Sequence, residues 1–403
     1  MRLKPAASEL IGDAQFRALV LSQAIFDLGI FMRGTANSWV VLELTGSQLW
    51  IGLVAGVRAI PIMGFAFAGG AIADRFARRT LMIAGGILIA SASAIVAVLI
   101  QSNTIEPWHL VVMSIAGGVG GAIYGPAFYS LIADIVRSDR LSNANGLLSV
   151  AQTTGEMLGP VIVGFVITAS GAHTVFWLVV AGNAAGLLLL MRVREPERRT
   201  EKSKGSFRAQ LLEGLNYAKN TPPLLWLTLL LIGQNLFAVA IFPLMPVYAE
   251  EVLEIGPTGF GLMGGFFGAG MLIGAVFVSI YGVHKRHAIV MLLMGLVWDV
   301  SMVIFAFSDS VVLSMSCLFA MGLISIPWIT AVMIMFQNAA TDEMRGRVMS
   351  LYVIGMNTFP LGWLFGGAVA EALGNEEALV ISALLGTPVA AIAIASSRSL
   401  RHA

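Results

Sequence analysis

The chain of 403 residues is 57% hydrophobic and only 12% charged, with 24 basic against 23 acidic residues and a net charge of +1. A soluble globular domain carries about 25% charged residues, so the composition excludes that class, and the balanced charge offers no basic surface for nucleic acid. The one cysteine, Cys317, lies in an apolar run, leaves no internal disulfide to form, and is expected as a small packing residue.

Apolar runs of roughly 20 residues recur along the chain and predict membrane-crossing helices. They do not alternate polar and apolar residues as barrel strands would. The N-terminus is polar through Arg17 and a long apolar run follows with no small-residue cleavage site, so the first span is expected to be retained. In chain order the spans are expected at 17–41, 49–73, 80–101, 108–134, 143–169, 173–192, 223–250, 258–282, 288–308, 311–339, 346–371 and 377–397. The one long hydrophilic stretch, 193–222, separates two sets of six. Phe207, Leu211, Leu212 and Leu215 recur there at helical spacing, which fits either an amphipathic helix on the membrane surface or a solvated linker helix.

The loops sort by charge. Arg2, Lys4 and Arg17 precede the first span, and the other loop cations follow the even-numbered spans, from Arg75, Arg78 and Arg79 to Arg398 and Arg401. The opposite loops hold acids such as Glu43, Glu106, Glu250, Glu251 and Glu371. The positive-inside rule therefore predicts both termini in the cytoplasm, and an even number of spans requires the same. The halves also repeat: Asp139 aligns with Asp342, Leu158-Gly159 with Leu361-Gly362, and Gly164 with Gly367 at one constant offset. The prediction is an all-α membrane protein of 12 transmembrane helices in two pseudo-symmetric six-helix bundles, 1–192 and 223–403, joined by the linker 193–222. Such repeats suit a transporter that rocks about a midplane site.

Charges inside the spans are the sharpest clue, because each costs about 2.5–3.5 kcal/mol at a span centre even on the mildest scale. At a rise of 1.5 Å per residue, Asp27 lies ~15 Å from the inner end of span one and Arg58 ~15 Å from the outer end of span two, so they share the midplane and could pair. Arg33 and Glu156 lie at ~24 and ~20 Å and could also meet. A carboxylate whose partner changes with conformation changes its proton affinity, which is what proton coupling requires. Asp27 is the favoured carrier and Glu156 the second; static pairs that fix helix register are the alternative. Asp299, in span nine, is weighted toward a structural role. Gln234 and Asn235 in span seven and Asn357 in span eleven lie near the midplane with Phe237 and Trp363 close in sequence, a mixture that suits a large amphipathic ligand.

The loop Gly70-Ala71-Ile72-Ala73-Asp74-Arg75-Phe76-Ala77-Arg78-Arg79 resembles the signature between helices two and three of the major facilitator superfamily, with Ala77 in place of the usual second Gly. Gly155-Glu156-Met157-Leu158-Gly159-Pro160 followed by Gly164 resembles the helix-five motif of its antiporters, with Glu156 an unusual occupant. Leu44-Thr45-Gly46-Ser47, Asn143-Ala144-Asn145-Gly146, Leu212-Glu213-Gly214-Leu215 and Asp342 to Ser350 are similar to the branch of enterobactin exporters and macrolide efflux proteins. The resemblance implies the superfamily's two-bundle fold. It also implies a gating role for Gly70, Asp74, Arg75, Arg78 and Arg79; Arg75, Arg78 and Arg79 could pair with acids such as Asp134 or Glu343, and topology-setting cations are the alternative. Gly155, Gly159, Pro160 and Gly164 are read as a tight helix-five seam between bundles or as ordinary small-residue packing. Span four lacks the arginine motif of the best-known drug/proton antiporters.

The expected function is proton-coupled efflux of amphipathic small molecules by a monomer in the lipid bilayer. The alternatives are uptake or flipping of a solute or lysolipid, and a membrane sensor or scaffold that does not transport. Arg33 and Arg58 keep an anionic substrate open. With no phosphate loop, metal-ligand spacing or nucleophile–base arrangement, neither an enzyme nor a metal or other cofactor is expected.

Overall fold

A computed structural model describes residues 10, 12–62, 64, 76–194, 216–283, 287–341 and 344–396. All regular structure among them is helical. The helices are α1 (Ala14–Thr45), α2 (Gln48–Val57), α3 (Arg78–Gln101), α4 (Pro107–Ile135), α5 (Leu141–Ser170), α6 (Ala172–Leu190), α7 (Pro222–Phe237), α8 (Ile241–Val247), α9 (Gly256–Tyr281), α10 (His287–Ala306), α11 (Val311–Asn338), α12 (Arg345–Met356), α13 (Phe359–Leu373) and α14 (Asn375–Ser396). Among the described residues ten helical stretches are long and apolar enough to cross a membrane, and Gln48–Ile62 is a shorter apolar stretch. The amphipathic linker residues Phe207, Leu211, Leu212 and Leu215 lie outside the described residues.

Local chemistry sets the helix ends. Pro107 opens α4, where a missing N–H costs nothing, and Glu106 and His109 cap each other's backbone N–H groups. Gly171 ends α5 at φ +83°, and Gly374 ends α13 at φ +113°, a region closed to most side chains. These two glycines occupy matching positions in the two halves, so the sequence repeat reaches the turn geometry.

Two expected spans are broken. The seventh runs as α7 and α8 with a turn at 238–240, followed by a π turn at Tyr248–Val252. Pro243 and Pro246 lack the N–H that a continuous helix needs at those positions. The eleventh runs as α12 and α13 with a turn at Asn357–Thr358, just ahead of Pro360. Pro360 has no N–H to give Met356 O, so the ladder of a continuous helix is interrupted there, and the Asn357 amide donates to Val353 O at 2.7 Å.

The helices form two compact units. One comprises 1–40 and 57–204, the other 41–56 and 205–403. The first packs α1, α3, α4 and α6 around Leu19, Met82, Phe128, Leu131 and Leu190. The second packs α7, α10, α11 and α12 around Leu227, Leu231, Met291, Phe336 and Val348. Large apolar side chains such as Ile87, Val98, Val276, Ile280, Leu293 and Leu384 are left exposed, as a lipid-facing surface requires.

Candidate functional site

In the first unit the polar side chains gather where α1 faces α4 and α5. Asp27 is buried and accepts a hydrogen bond from Gln23 Nε2 at 2.8 Å, one helical turn before it. Tyr124 of α4 stacks on Phe26, with ring centroids 3.9 Å apart and planes 6° from parallel. Among the described residues Asp27 makes no ion pair.

About 9 Å further along α1, Arg33 is buried against α4. Its guanidinium occupies the space beside Gly117, where any Cβ would collide with Nη1. The adjacent Gly118 receives the backbone of Arg58, whose Cα lies 3.2 Å from where a Cβ would stand. The pairs considered from depth, Asp27 with Arg58 and Arg33 with Glu156, are not among the ion pairs of the described residues: Asp27 accepts from Gln23, and Arg33 lies against Gly117 of α4. Depth along a helix gives height but not direction around its axis. Glu156 is half-buried on α5 and, among the described residues, forms no ion pair.

Gly155 and Gly159 of the helix-five motif pack against α1 of their own unit. A Cβ on Gly155 would lie 3.2 Å from Leu28 N, and one on Gly159 2.8 Å from Phe31 Cβ, so α5 rides closely on α1 beside Asp27. Pro160 lies within α5. The repeat reproduces this contact: Gly362, the counterpart of Gly159, packs α13 onto α7 at Asn235, Leu236 and Val239. Helices also touch where no motif pointed. Gly52 and Gly56 of α2 approach α13, with a Cβ on Gly56 falling 2.7 Å from Pro360 O. Glu371 of α13 accepts from Ser47 Oγ at 2.8 Å and from the Leu49 N–H at 3.3 Å. The spacing of Gly52 and Gly56, four residues apart, was the available signal.

The second unit holds a cavity of about 130 Å³ at the two helix breaks. Gln234, Asn235, Ala238 and Val239 line it from the end of α7 and the turn after it, and Met356 from the end of α12. Trp298 and Trp328 complete its aromatic wall. Trp298 Nε1 donates to Ala238 O at 2.9 Å, taking up a carbonyl in the broken segment. Asn235 donates to Leu231 O at 2.9 Å. Asp299 is buried beside the cavity: its Oδ1 lies 3.1 Å and Gln234 Oε1 3.6 Å from where a Cβ on Gly386 would stand. Of the five cavity residues expected from sequence, Gln234 and Asn235 line it. Phe237 packs edge-on against Phe365, Trp363 meets Phe242 and Phe359 edge-on, and Asn357 lies in the turn after Met356.

Gly70, Asp74 and Arg75 of the signature loop lie outside the described residues. Arg78 forms an ion pair with Asp134 and donates to Ser130 O at 2.9 Å, and Arg79 donates to Met191 O at 2.7 Å. These cations thus bind the ends of α4 and α6 to the start of α3.

Comparison with known proteins places this geometry. The chain is 22% identical over 389 residues to macrolide efflux protein A of Streptococcus pyogenes, covering 94% of each chain. It is 25% identical over 354 residues to the multidrug efflux pump Tap of Mycolicibacterium fortuitum, covering 84% of this chain and 85% of that one. In structure it matches an inward-facing bacterial homologue of the human lysosomal transporter Spinster with a TM-score of 0.74 at 14% identity, over 99% of this chain and 98% of the other. That match carries the fold, two pseudo-symmetric bundles of the major facilitator type. The transmembrane secretion effector family matches residues 9–402, and the chain belongs to that family.

Proposed function

We propose that the chain exports amphipathic small molecules across a bacterial inner membrane by alternating access, coupled to protons. The observation that carries this reading is the cavity at the breaks in α7–α8 and α12–α13. Broken membrane helices are the usual builders of midplane substrate sites, because backbone carbonyls can leave the helix only where they line a cavity. Its wall joins two tryptophans and two methionines to the amides of Gln234 and Asn235, which suits a ligand with a broad apolar body and a few polar groups. The names of the relatives, macrolide efflux and multidrug efflux, support export as the direction.

Asp27 is the proton carrier in this reading and Glu156 the reserve. Both are carboxylates within spans that lack an ion pair among the described residues, so each can change protonation without breaking one. The Asp74 loop and the Arg78–Asp134 pair act as a gate at the cytoplasmic ends, with both termini on that side. The working unit is a monomer, and it carries out transport rather than catalysis. The test is transport of a radiolabelled macrolide by the purified chain in proteoliposomes with an imposed pH gradient. Movement that follows the gradient and stops when an ionophore collapses it is the expected result. Movement indifferent to the gradient would remove the coupling, and no movement of any amphipathic probe would remove the function.

A further inference from the structure

The cavity in the second unit holds only part of an amphipathic substrate. Its volume is about 130 Å³, and an apolar cavity of about 150 Å³ takes up a single benzene ring. Its chemistry is graded. Gln234, Asn235 and Ser325 are buried, whereas Met294, Trp298, Trp328 and Met356 are half-buried, so the polar end is the deep end and the mouth is apolar. Among the described residues that line it, none carries a charge.

One polar side chain in this wall is left over. The side-chain hydrogen bonds of α7 among the described residues are those of Thr228 and Asn235, each to a carbonyl one turn back. Ser325 likewise donates to Met321 O at 2.8 Å. Gln234, only 6% exposed, makes none among the described residues. A buried amide with nothing to bond is costly, and a leucine would fill the same space without that cost. The aromatic wall beside it is rigid. Trp298 is fixed by its bond to Ala238 O and by Phe267, whose ring stands edge-on to it with centroids 6.2 Å apart.

We infer that the cavity anchors the substrate by one six-membered aromatic ring bearing a neutral hydroxyl, with the hydroxyl on Gln234, the ring against Trp298 and Trp328, and the remainder leaving through the mouth. This rests on the export reading and narrows its substrate class to amphiphiles that carry a phenol. A hydroxyl both donates and accepts, so it answers the Gln234 amide whichever way that group faces. A charged head would lose its water here with no opposite charge in the wall to replace it. Aromatic walls favour a flat ring over an alkyl chain of similar volume.

The test is a binding measurement that needs no transport. The full chain, purified in a neutral detergent, is loaded at neutral pH with tritiated para-hexylphenol, and unlabelled compounds with the same tail compete for the site. Hexylbenzene, para-hexylbenzoate and protonated para-hexylbenzylamine should each compete at least about tenfold less well than para-hexylphenol, since they lack the hydroxyl or bring a charge. Gln234→Leu should reduce para-hexylphenol to the level of hexylbenzene. A phenol with isopropyl groups at both ortho positions is too wide for the wild-type cavity and should compete weakly. In Trp328→Ala it should gain at least about tenfold, a gain that a misfolded protein cannot give. Equal or better competition by either charged compound, a phenol advantage that survives Gln234→Leu, or equal binding of the wide phenol to the wild type would overturn the inference. If Gln234→Leu is not monodisperse, the wild-type series and the Trp328→Ala gain decide alone. Absence of saturable para-hexylphenol binding would also overturn it, while export itself stands or falls separately in proteoliposomes.

Discussion

Glu371 caps the helix that begins at Gln48. Its Oε2 accepts from Ser47 Oγ at 2.8 Å and from the backbone N–H of Leu49 at 3.3 Å, joining two residues more than 300 positions apart in the chain. A carboxylate is well placed there, since the first N–H groups of a helix have no partner within it and carry its positive end. Glu371→Ala should cost about 1 kcal/mol, the usual loss for a removed cap, and Glu371→Gln less, because an amide oxygen still accepts. Thermal unfolding in detergent measures both. A double-mutant cycle with Ser47→Ala should show the two losses to be strongly non-additive. Additive losses would mean that the contact contributes no stability.

The same region depends on bare backbone. A Cβ on Gly52 would lie 3.2 Å from Leu364 Cα, against atoms that cannot move aside as a side-chain end could. Gly52→Ala should therefore destabilise by about 1–3 kcal/mol, as overpacking does. Gly121→Ala is the control, since nothing lies within 4 Å of a Cβ there and a helix interior favours Ala over Gly by about 0.5–1 kcal/mol. Opposite shifts in melting temperature are the expected outcome. A loss of similar size at both positions would show that helix propensity, not contact, governs these sites.

The contrast shows what the sequence could and could not convey. Hydropathy located the spans, and the repeat of Asp139–Gly164 in Asp342–Gly367 announced two equivalent bundles, which Gly159 and Gly362 realise as the same helix contact. The spacing of Gly52 and Gly56 marked a close approach but not its partner, because a small residue records that something comes near without recording what. Gln234 and Asn235 were found because amides in an apolar run are conspicuous. The breaks after Phe237 and Met356 were not expected, since apolar residues keep the same hydropathy in a turn as in a helix. Trp298 and Trp328 were missed for a related reason: an aromatic residue in a span reads equally well as a lipid-facing or a cavity residue until its direction is known. Counting residues placed Arg33 and Glu156 at similar heights, but height alone carries no direction around α1.

Trp298 tests the cavity. Its ring forms part of the wall, and its Nε1 donates to Ala238 O in the broken segment. Trp298→Ala removes both and should raise KM for an amphipathic substrate at least about tenfold, equivalent to ~1.4 kcal/mol of lost binding. Trp298→Phe keeps the apolar wall and loses only the donor, so it should fall between the two. Initial rates in proteoliposomes over a range of substrate concentrations check this. An unchanged KM in Trp298→Ala would place the substrate elsewhere.

Asp27 tests the coupling. In the described arrangement its one hydrogen-bond donor is Gln23, a neutral amide, so no ion pair holds the carboxylate in its charged form. Asp27→Asn keeps the size and can still bond to Gln23, because an amide both donates and accepts, but it cannot gain or release a proton. Flux driven by a pH gradient should therefore fall at least about tenfold, a barrier increase of ~1.4 kcal/mol. Exchange of labelled for unlabelled substrate with equal pH on both sides should continue, since that process needs the bundles to rock but needs no net proton movement. Gradient-driven flux that survives the substitution would pass the carrier role to Glu156, and Glu156→Gln should then abolish it. Loss of exchange together with driven flux, in a protein that still melts at the wild-type temperature, would instead assign Asp27 to the rocking motion itself.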